Sequence, residues 1–204
     1  MTTPGYALLI PVKDAGSAKS RLGVGEDGQR GRLMAAFARD AITAARGCTA
    51  VSVHVVGDLG ALAGLAAELE VDLLPDEGDG DLNEALRKAA VRAERADRGV
   101  AVLLADLPCL RTSDLDAAFA AARTRSFVAD AAGTGTTLLI APAGTDLDPH
   151  FGAGSAAAHR ASGATPLEAA LPSLRLDVDT TDDLEAALRF GVGVHTARVA
   201  SSLA

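Results

Sequence analysis

Tryptophan is missing from this chain, and aromatic side chains make up only 3% of its 204 residues. With 49% hydrophobic residues, the core must therefore be built from Leu, Val, Ile and Ala, a mixture that suits parallel strands covered by helices. A GC-rich genome would produce the same Ala bias. Cysteine is nearly absent as well: Cys48 and Cys109 lie far apart and form neither a disulfide framework nor a CxxC pair. Basic excess is lacking, with 19 Lys and Arg against 27 Asp and Glu and a net charge of −8, so no basic face is expected for a nucleic-acid backbone. Long apolar runs are lacking too. Tyr6 to Val12 is too short to cross a bilayer and has no basic lead or cleavage pattern, so a soluble, cytoplasmic protein without membrane contact is expected. No internal repeat, long linker or low-complexity tract divides the chain, which reads as one domain over 1–204.

What is present is an alternation of strand-length apolar runs with helical periodicity, the pattern of βαβ units. Strands are expected at Tyr6–Val12, Ala50–Val56, Val71–Leu74, Val100–Ala105, Thr136–Ile140 and Arg175–Val178. Helices are expected at Arg30–Arg46, Leu59–Leu69, Leu82–Ala96, Leu115–Ala122 and Asp183–Phe190, with Ala156–Ala161 helix-compatible. Asp81 with Glu84 and Asp182 with Glu185 read as helix starts, and Gly191 as a C-terminal cap. The fold class is α/β, a mostly parallel sheet flanked by helices.

In such sheets ligands bind beyond the carboxyl ends of the strands. The loop after the first strand carries Lys13, Lys19 and Arg21, three cations able to hold a polyphosphate, although Lys and Arg in loops are more often solvated. It contains neither a Walker sequence nor a complete dinucleotide fingerprint. Asp106 follows the apolar run Val100 to Ala105, and Asp177 stands at the end of a later expected strand. A hard cation such as Mg²⁺ takes a few carboxylate oxygens plus phosphate and water, so the two loops could share one; turn or helix capping is the ordinary alternative. Alternation sends Asp177 and Asp179 to one face. The Gly-rich stretches Gly133–Thr137 and Phe151–Ser155 can bring backbone N–H groups close to an anion, or can simply turn the chain. His54, His150, His159 and His195 are scattered, without metal spacing, and no GxSxG elbow occurs; His54 reads as a strand histidine. Direct transfer between bound phosphates is favoured over hydrolysis through a protein nucleophile.

Taken in order, Pro11-Val12-Lys13, Ala18-Lys19-Ser20-Arg21-Leu22, Asp81-Leu82-Asn83-Glu84-Ala85-Leu86, Ala105-Asp106-Leu107-Pro108, the Gly133–Thr137 and Phe151–Ser155 loops, and Asp177-Val178-Asp179-Thr180 resemble one family. It is the 2-phospho-L-lactate or phosphoenolpyruvate guanylyltransferase family of coenzyme F420 biosynthesis, and the likeness runs from about Ala7 to about Thr196. Ala105, Thr181 and Ala153-Gly154 depart from the usual family pattern, and none of them removes a charged position. The resemblance implies a GT-A-like nucleotidyltransferase fold, GTP as donor and pyrophosphate as leaving group. It implies Asp106 and Asp177 as ligands of Mg²⁺, and Thr136, Gly152 and Ser155 as binders of a small phosphorylated carboxylic acid. It places Asn83 near the guanine and Lys13, Lys19 and Arg21 on the triphosphate. A homodimer is left open. The rival readings are a nucleotidyltransferase of the same fold acting on a molybdopterin or sugar phosphate, and a non-catalytic nucleotide-binding module. The first usually opens on Leu-Ala-Gly-Gly, where this chain has Leu9-Ile10-Pro11-Val12.

Overall fold

The apolar runs are where the sheet forms. A computed structural model describes residues 5–13, 27–48, 52–93 and 98–202. Its strands are β1 (Tyr6–Pro11), β2 (Ser52–Gly57), β3 (Asp72–Pro75), β4 (Gly99–Leu103), β5 (Ser126–Ala129), β6 (Thr136–Ala141) and β7 (Thr165–Pro166). The helices are α1 (Asp27–Arg46), α2 (Leu59–Glu68), α3 (Leu82–Ala93), α4 (Thr112–Ala121), α5 (Ser155–Ala161), α6 (Thr181–Phe190) and α7 (Val194–Ser201). One sheet runs in the order β3-β2-β1-β4-β6-β5-β7. The β1–β2, β1–β4, β2–β3 and β5–β7 pairs are parallel, and β6 is antiparallel to both β4 and β5.

Both faces of this sheet are covered, which is why β1 and β4 read as continuous apolar runs. The pleat of β1 sends Tyr6, Leu8 and Ile10 into a core with Ile42 of α1, Leu62 of α2 and Phe119 of α4. Ala7 and Leu9 point the other way, to Leu86 of α3 and Ala156 of α5. Tyr6 stacks on Phe119 with centroids 4.6 Å apart. The neighbouring position has to be glycine, because a β-carbon on Gly99 would lie 2.4 Å from the Tyr6 ring.

Strand order reverses between β1 and β4, so a crevice opens at their carboxyl ends. Because β6 runs antiparallel to β4, its first residues reach the same rim: the Leu104 N–H donates to the Thr137 carbonyl at 2.9 Å. The first-loop residues Lys19 and Arg21 lie outside the described residues.

Several expectations need correction. Arg175–Val178 is not a strand; the chain makes a 3₁₀ turn at Pro172–Leu174 and continues without pairing as a ladder. The Arg175 guanidinium bonds the Ala129 and Leu167 carbonyls at 3.0 and 2.8 Å, carrying the segment past the end of β5 instead of alongside it. Helix α6 is capped two residues earlier than expected. Thr180 and Asp183 form a reciprocal capping box, with Thr180 accepting from the Asp183 N–H and Asp183 accepting from the Thr180 N–H. Asp81 does cap α3, its Oδ1 accepting from the N–H groups of Asn83 and Glu84 at 2.8 and 3.2 Å. Glu84 does not answer it and instead faces Arg87 and Lys88. Strands β5 and β7 and helix α7 add to the expected elements. His54 lies on the internal strand β2, its Nε2 2.8 Å from Ser52 Oγ. No described helix is long and apolar enough to cross a membrane.

Candidate active site

A cleft of about 1100 Å³ opens at the rim between α1, α2 and the ends of β1 and β4. It is lined by Lys13 just past β1, Asp106 just past β4, Gly152 before α5, and Asp179 before α6. Residues from four separate loops therefore face one space. Leu82, the neighbour of Asn83, lies on the same wall. Apolar side chains of α1 and α2, among them Met34, Leu62 and Leu65, make the opposite side.

The carboxylates meet because the chain after the 3₁₀ turn docks against the β4 loop: the Val178 N–H donates to the Asp106 carbonyl at 3.0 Å. Asp106 Oδ1 is buried and has no hydrogen-bond partner. Burial, with the negative charges of Asp177 and Asp179 beside it, raises the Asp106 pKa from the usual 3.8 to about 7. Burial also raises Asp177, to about 6, with Asp130, Asp179 and Asp183 adding in the same direction. An unpartnered buried carboxylate oxygen flanked by like charges is a poor resting arrangement without a cation, and a hard divalent ion fits it. Among the described residues no group of three or more His, Cys, Asp or Glu is set to hold a metal alone, so a cation on these carboxylates would complete its shell with phosphate and water.

Across the rim, Gly152 and Gly154 adopt positive φ of 135° and 72°, open to glycine at little cost. The N–H groups of Ser155, Ala156 and Ala157 are taken by Gly152, Thr134 and Gly154 carbonyls. Those of Gly152, Ala153 and Gly154 have no acceptor among the described residues, and these three residues are exposed. Consecutive unengaged N–H groups of this kind form a concavity suited to an anion. Ser155 and Thr136 are buried directly behind this loop. The turn leading into Thr136 is held by Asp130, whose carboxylate accepts from the N–H groups of Thr134 and Gly135 at 2.9 and 2.7 Å.

Asn83 is placed differently from the expectation of an open purine-reading amide. Its Nδ2 donates to the Phe151 carbonyl at 3.0 Å and its Oδ1 accepts from the Phe151 N–H at 2.6 Å, which ties the Gly152 loop to α3. One amide hydrogen and one lone pair of Asn83 remain unengaged among the described residues.

The histidines scattered in sequence are partly gathered in space. His159 is fully buried beneath the loop, 2.9 Å from Thr136 Oγ1, and its Nε2 accepts from the His150 N–H at 2.9 Å. Sequence reasoning missed His159 and Asp130. A signal for His159 was available, since it lies one helical turn after Ser155 and so shares its face. Asp130 gave none, because its partners are the backbone of its own turn.

A phosphoenolpyruvate guanylyltransferase of Streptomyces coelicolor is 48% identical over 205 residues, covering 97% of each chain. Among solved structures, a nucleotidyl transferase from Methanothermobacter superposes with a TM-score of 0.59 at 15% identity, covering 91% of this chain and 97% of that one. A Mycobacterium tuberculosis protein solved in complex with manganese superposes with a TM-score of 0.56 at 18% identity, covering 92% and 100%. The family described as guanylyl transferase, CofC like, matches residues 6–203, and the chain belongs to that family of guanylyltransferases.

Proposed function

We propose that this protein transfers GMP from GTP to the phosphate of phosphoenolpyruvate, releasing pyrophosphate, as a cytoplasmic step of coenzyme F420 biosynthesis. The observation that carries the reading is the single cleft into which Lys13, Asp106, Asp179 and the Gly152 loop all open. The acceptor is suggested by the printed activity of the Streptomyces coelicolor relative. 2-Phospho-L-lactate, which also carries a phosphate next to a carboxylate, is the second candidate.

An oxygen of the acid's phosphate attacks the α-phosphorus of GTP in line. The bond from the α-phosphorus to the bridging oxygen breaks, and pyrophosphate leaves with the electron pair. No protein base is needed, because a phosphate oxygen is already ionised at neutral pH. Asp106 and Asp177 would hold Mg²⁺, as a manganese-bound relative of the fold makes reasonable, and the cation when bound supplies charge neutralisation for the crowded oxyanions. Lys13, with Lys19 and Arg21 of the same loop, stabilises the charge that builds on pyrophosphate. Asn83 offers its remaining amide hydrogen and lone pair to the guanine. The unengaged N–H groups from Gly152 onward, with Ser155 and Thr136 behind them, bind the carboxylate or phosphate of the acid.

The test is incubation with GTP, Mg²⁺ and, in parallel, phosphoenolpyruvate, 2-phospho-L-lactate and 3-phosphoglycerate, with pyrophosphate release and mass detection of the guanylylated acid. Guanylylated phosphoenolpyruvate formed fastest is the expected result. Release of pyrophosphate without any acceptor, or from none of the three, overturns the proposal.

A further inference from the structure

We propose that His159 is a positioning residue for the acceptor. Acting through Thr136 and the backbone of the Gly152 loop, it sets the affinity for the phosphorylated acid without touching it. The inference rests on the acceptor-site reading above.

The hydrogen bonds fix the state of the ring. The His150 N–H can only donate, so His159 Nε2 must present its lone pair at 2.9 Å. In a neutral imidazole the proton is then on Nδ1, which faces Thr136 Oγ1 at 2.9 Å. Burial lowers the His159 pKa to about 4, with His150 and Arg125 adding to the effect and a hydrogen bond to the Ser155 backbone and the charge of Asp148 opposing it, so the ring is neutral near pH 7. The direction of the second bond follows: His159 donates and the Thr136 oxygen accepts. The hydroxyl hydrogen of Thr136 is thereby released from the ring and remains available as a donor to an anion. Had the tautomer been reversed, Thr136 would have to donate into the ring and would present only lone pairs to an anionic ligand.

The same ring braces the loop. It meets Phe151 edge-on with centroids 5.1 Å apart, and it holds the His150 backbone from below. Asn83 holds both backbone groups of Phe151 from the side of α3. Gly152 follows immediately, so its N–H is presented by two residues fixed from opposite sides. Asp148 extends the brace, ion-paired to Arg125 at 3.2 Å and in hydrogen-bond contact with His150 at 3.0 Å. No other buried histidine of the described chain connects two segments of one site in this way.

Three substitutions separate the roles of the two nitrogens. Asn at 159 places an amide near Nδ1 and can keep the donor to Thr136. Gln reaches toward Nε2 and can keep the acceptor for His150. Phe keeps the shape and neither bond. Steady-state kinetics on the full-length enzyme, with phosphoenolpyruvate and GTP varied separately, should show His159→Phe, which loses both ring bonds, raising KM for phosphoenolpyruvate about tenfold or more, with KM for GTP little changed. His159→Asn should recover more of that loss than His159→Gln. In a Thr136→Val background, His159→Phe should add much less than it does alone, because the shared bond is already gone.

Equal effects on both KM values, equal constants for the Asn and Gln variants, or multiplicative effects of His159→Phe and Thr136→Val would overturn the proposal. If His159→Phe does not fold, the comparison of Asn with Gln still decides. Ser155→Ala, measured alongside, separates the two levels. If it leaves KM for phosphoenolpyruvate unchanged, the acceptor-site reading itself fails; if it raises that constant while His159→Phe does not, the positioning role alone fails.

Discussion

Burial and the neighbouring negative charges raise the Asp106 pKa to about 7, and the consequences run in two directions. With substrates and Mg²⁺ present the carboxylate must be ionised to act as a ligand, so Asp106→Asn or Asp177→Asn should lower turnover by orders of magnitude while the fold persists. Near-normal rates of both variants at low Mg²⁺ would remove these residues from the site. Without metal the same carboxylate is a burden on stability. Its pKa is raised in the folded state, so the native protein binds more protons than the unfolded chain between about pH 4 and 7. The contribution is fully favourable below the unfolded value and is lost as pH rises through the folded one, at about 1.4 kcal/mol per unit of separation. Other carboxylates, such as Asp148 with its lowered pKa, give the opposite slope, so the comparison must be made against a variant. Thermal melts of the metal-free protein from pH 4 to 8 should show Asp106→Asn gaining stability relative to the parent as pH rises. Parallel melting curves for the two proteins would contradict the buried, raised carboxylate.

At the scale of elements, the long amphipathic stretches were legible and the short or remotely capped ones were not. Helices α1, α2, α3 and α6 show their periodicity over ten or more residues. Strands β5 and β7, with four and two residues, are too short to carry a pattern and owe their existence to pairing with β6 and with each other. Helix α7 is hidden for a different reason. Its cap residue is Gly193, without a side-chain oxygen, and the start of the helix is held by Asp40 of α1, whose carboxylate accepts from the N–H groups of His195 and Thr196 at 3.0 and 2.8 Å. No local rule finds a partner 155 positions away. Asp40→Ala would leave those N–H groups unanswered, one of them buried, and should lower the unfolding free energy by roughly 2–3 kcal/mol. Asp40 itself does not line the cleft, although its helix does, so turnover at low temperature should hardly change. Chemical denaturation and kinetics on one preparation check both; a stability loss within a few tenths of a kcal/mol would mean that α7 docks by its apolar side alone.

For the molecule as a whole, the proposed site residues that follow strand ends are the ones whose meeting in space can be understood from the sheet order. Lys13 and Asp106 are far apart in sequence, yet parallel strands that meet at a reversal of order must bring their following loops together, and both do line the cleft. The Arg175–Val178 segment reached the same rim without being a strand, because a short stretch with alternating apolar residues looks alike whether it pairs in a ladder or docks by isolated bonds such as those of Arg175 and of the Val178 N–H to the Asp106 carbonyl. The sheet order also divides the labour. β1 leads to Lys13, β6 and α5 follow the Gly-rich loops proposed for the acceptor, and Asp106 stands where β4 joins the two halves. That division predicts a pattern of kinetic constants. Lys13→Ala, in the first half, should raise KM for GTP and leave that for phosphoenolpyruvate nearly alone. Ser155→Ala, in the second, should do the reverse, since a lost hydrogen bond to a charged group costs on the order of 1.5–3 kcal/mol and belongs to one substrate only. Gly152→Val should harm the acceptor constant more, because a β-branched residue cannot follow a φ of 135° and would crowd the exposed N–H groups. Asp106→Asn, at the junction, should act mainly on kcat, because the charge it balances is greatest in the transition state. Separate substrate titrations of the four variants decide the matter. If Lys13→Ala and Ser155→Ala shift both constants alike, the two substrates share one undivided pocket and the partition by sheet half is wrong.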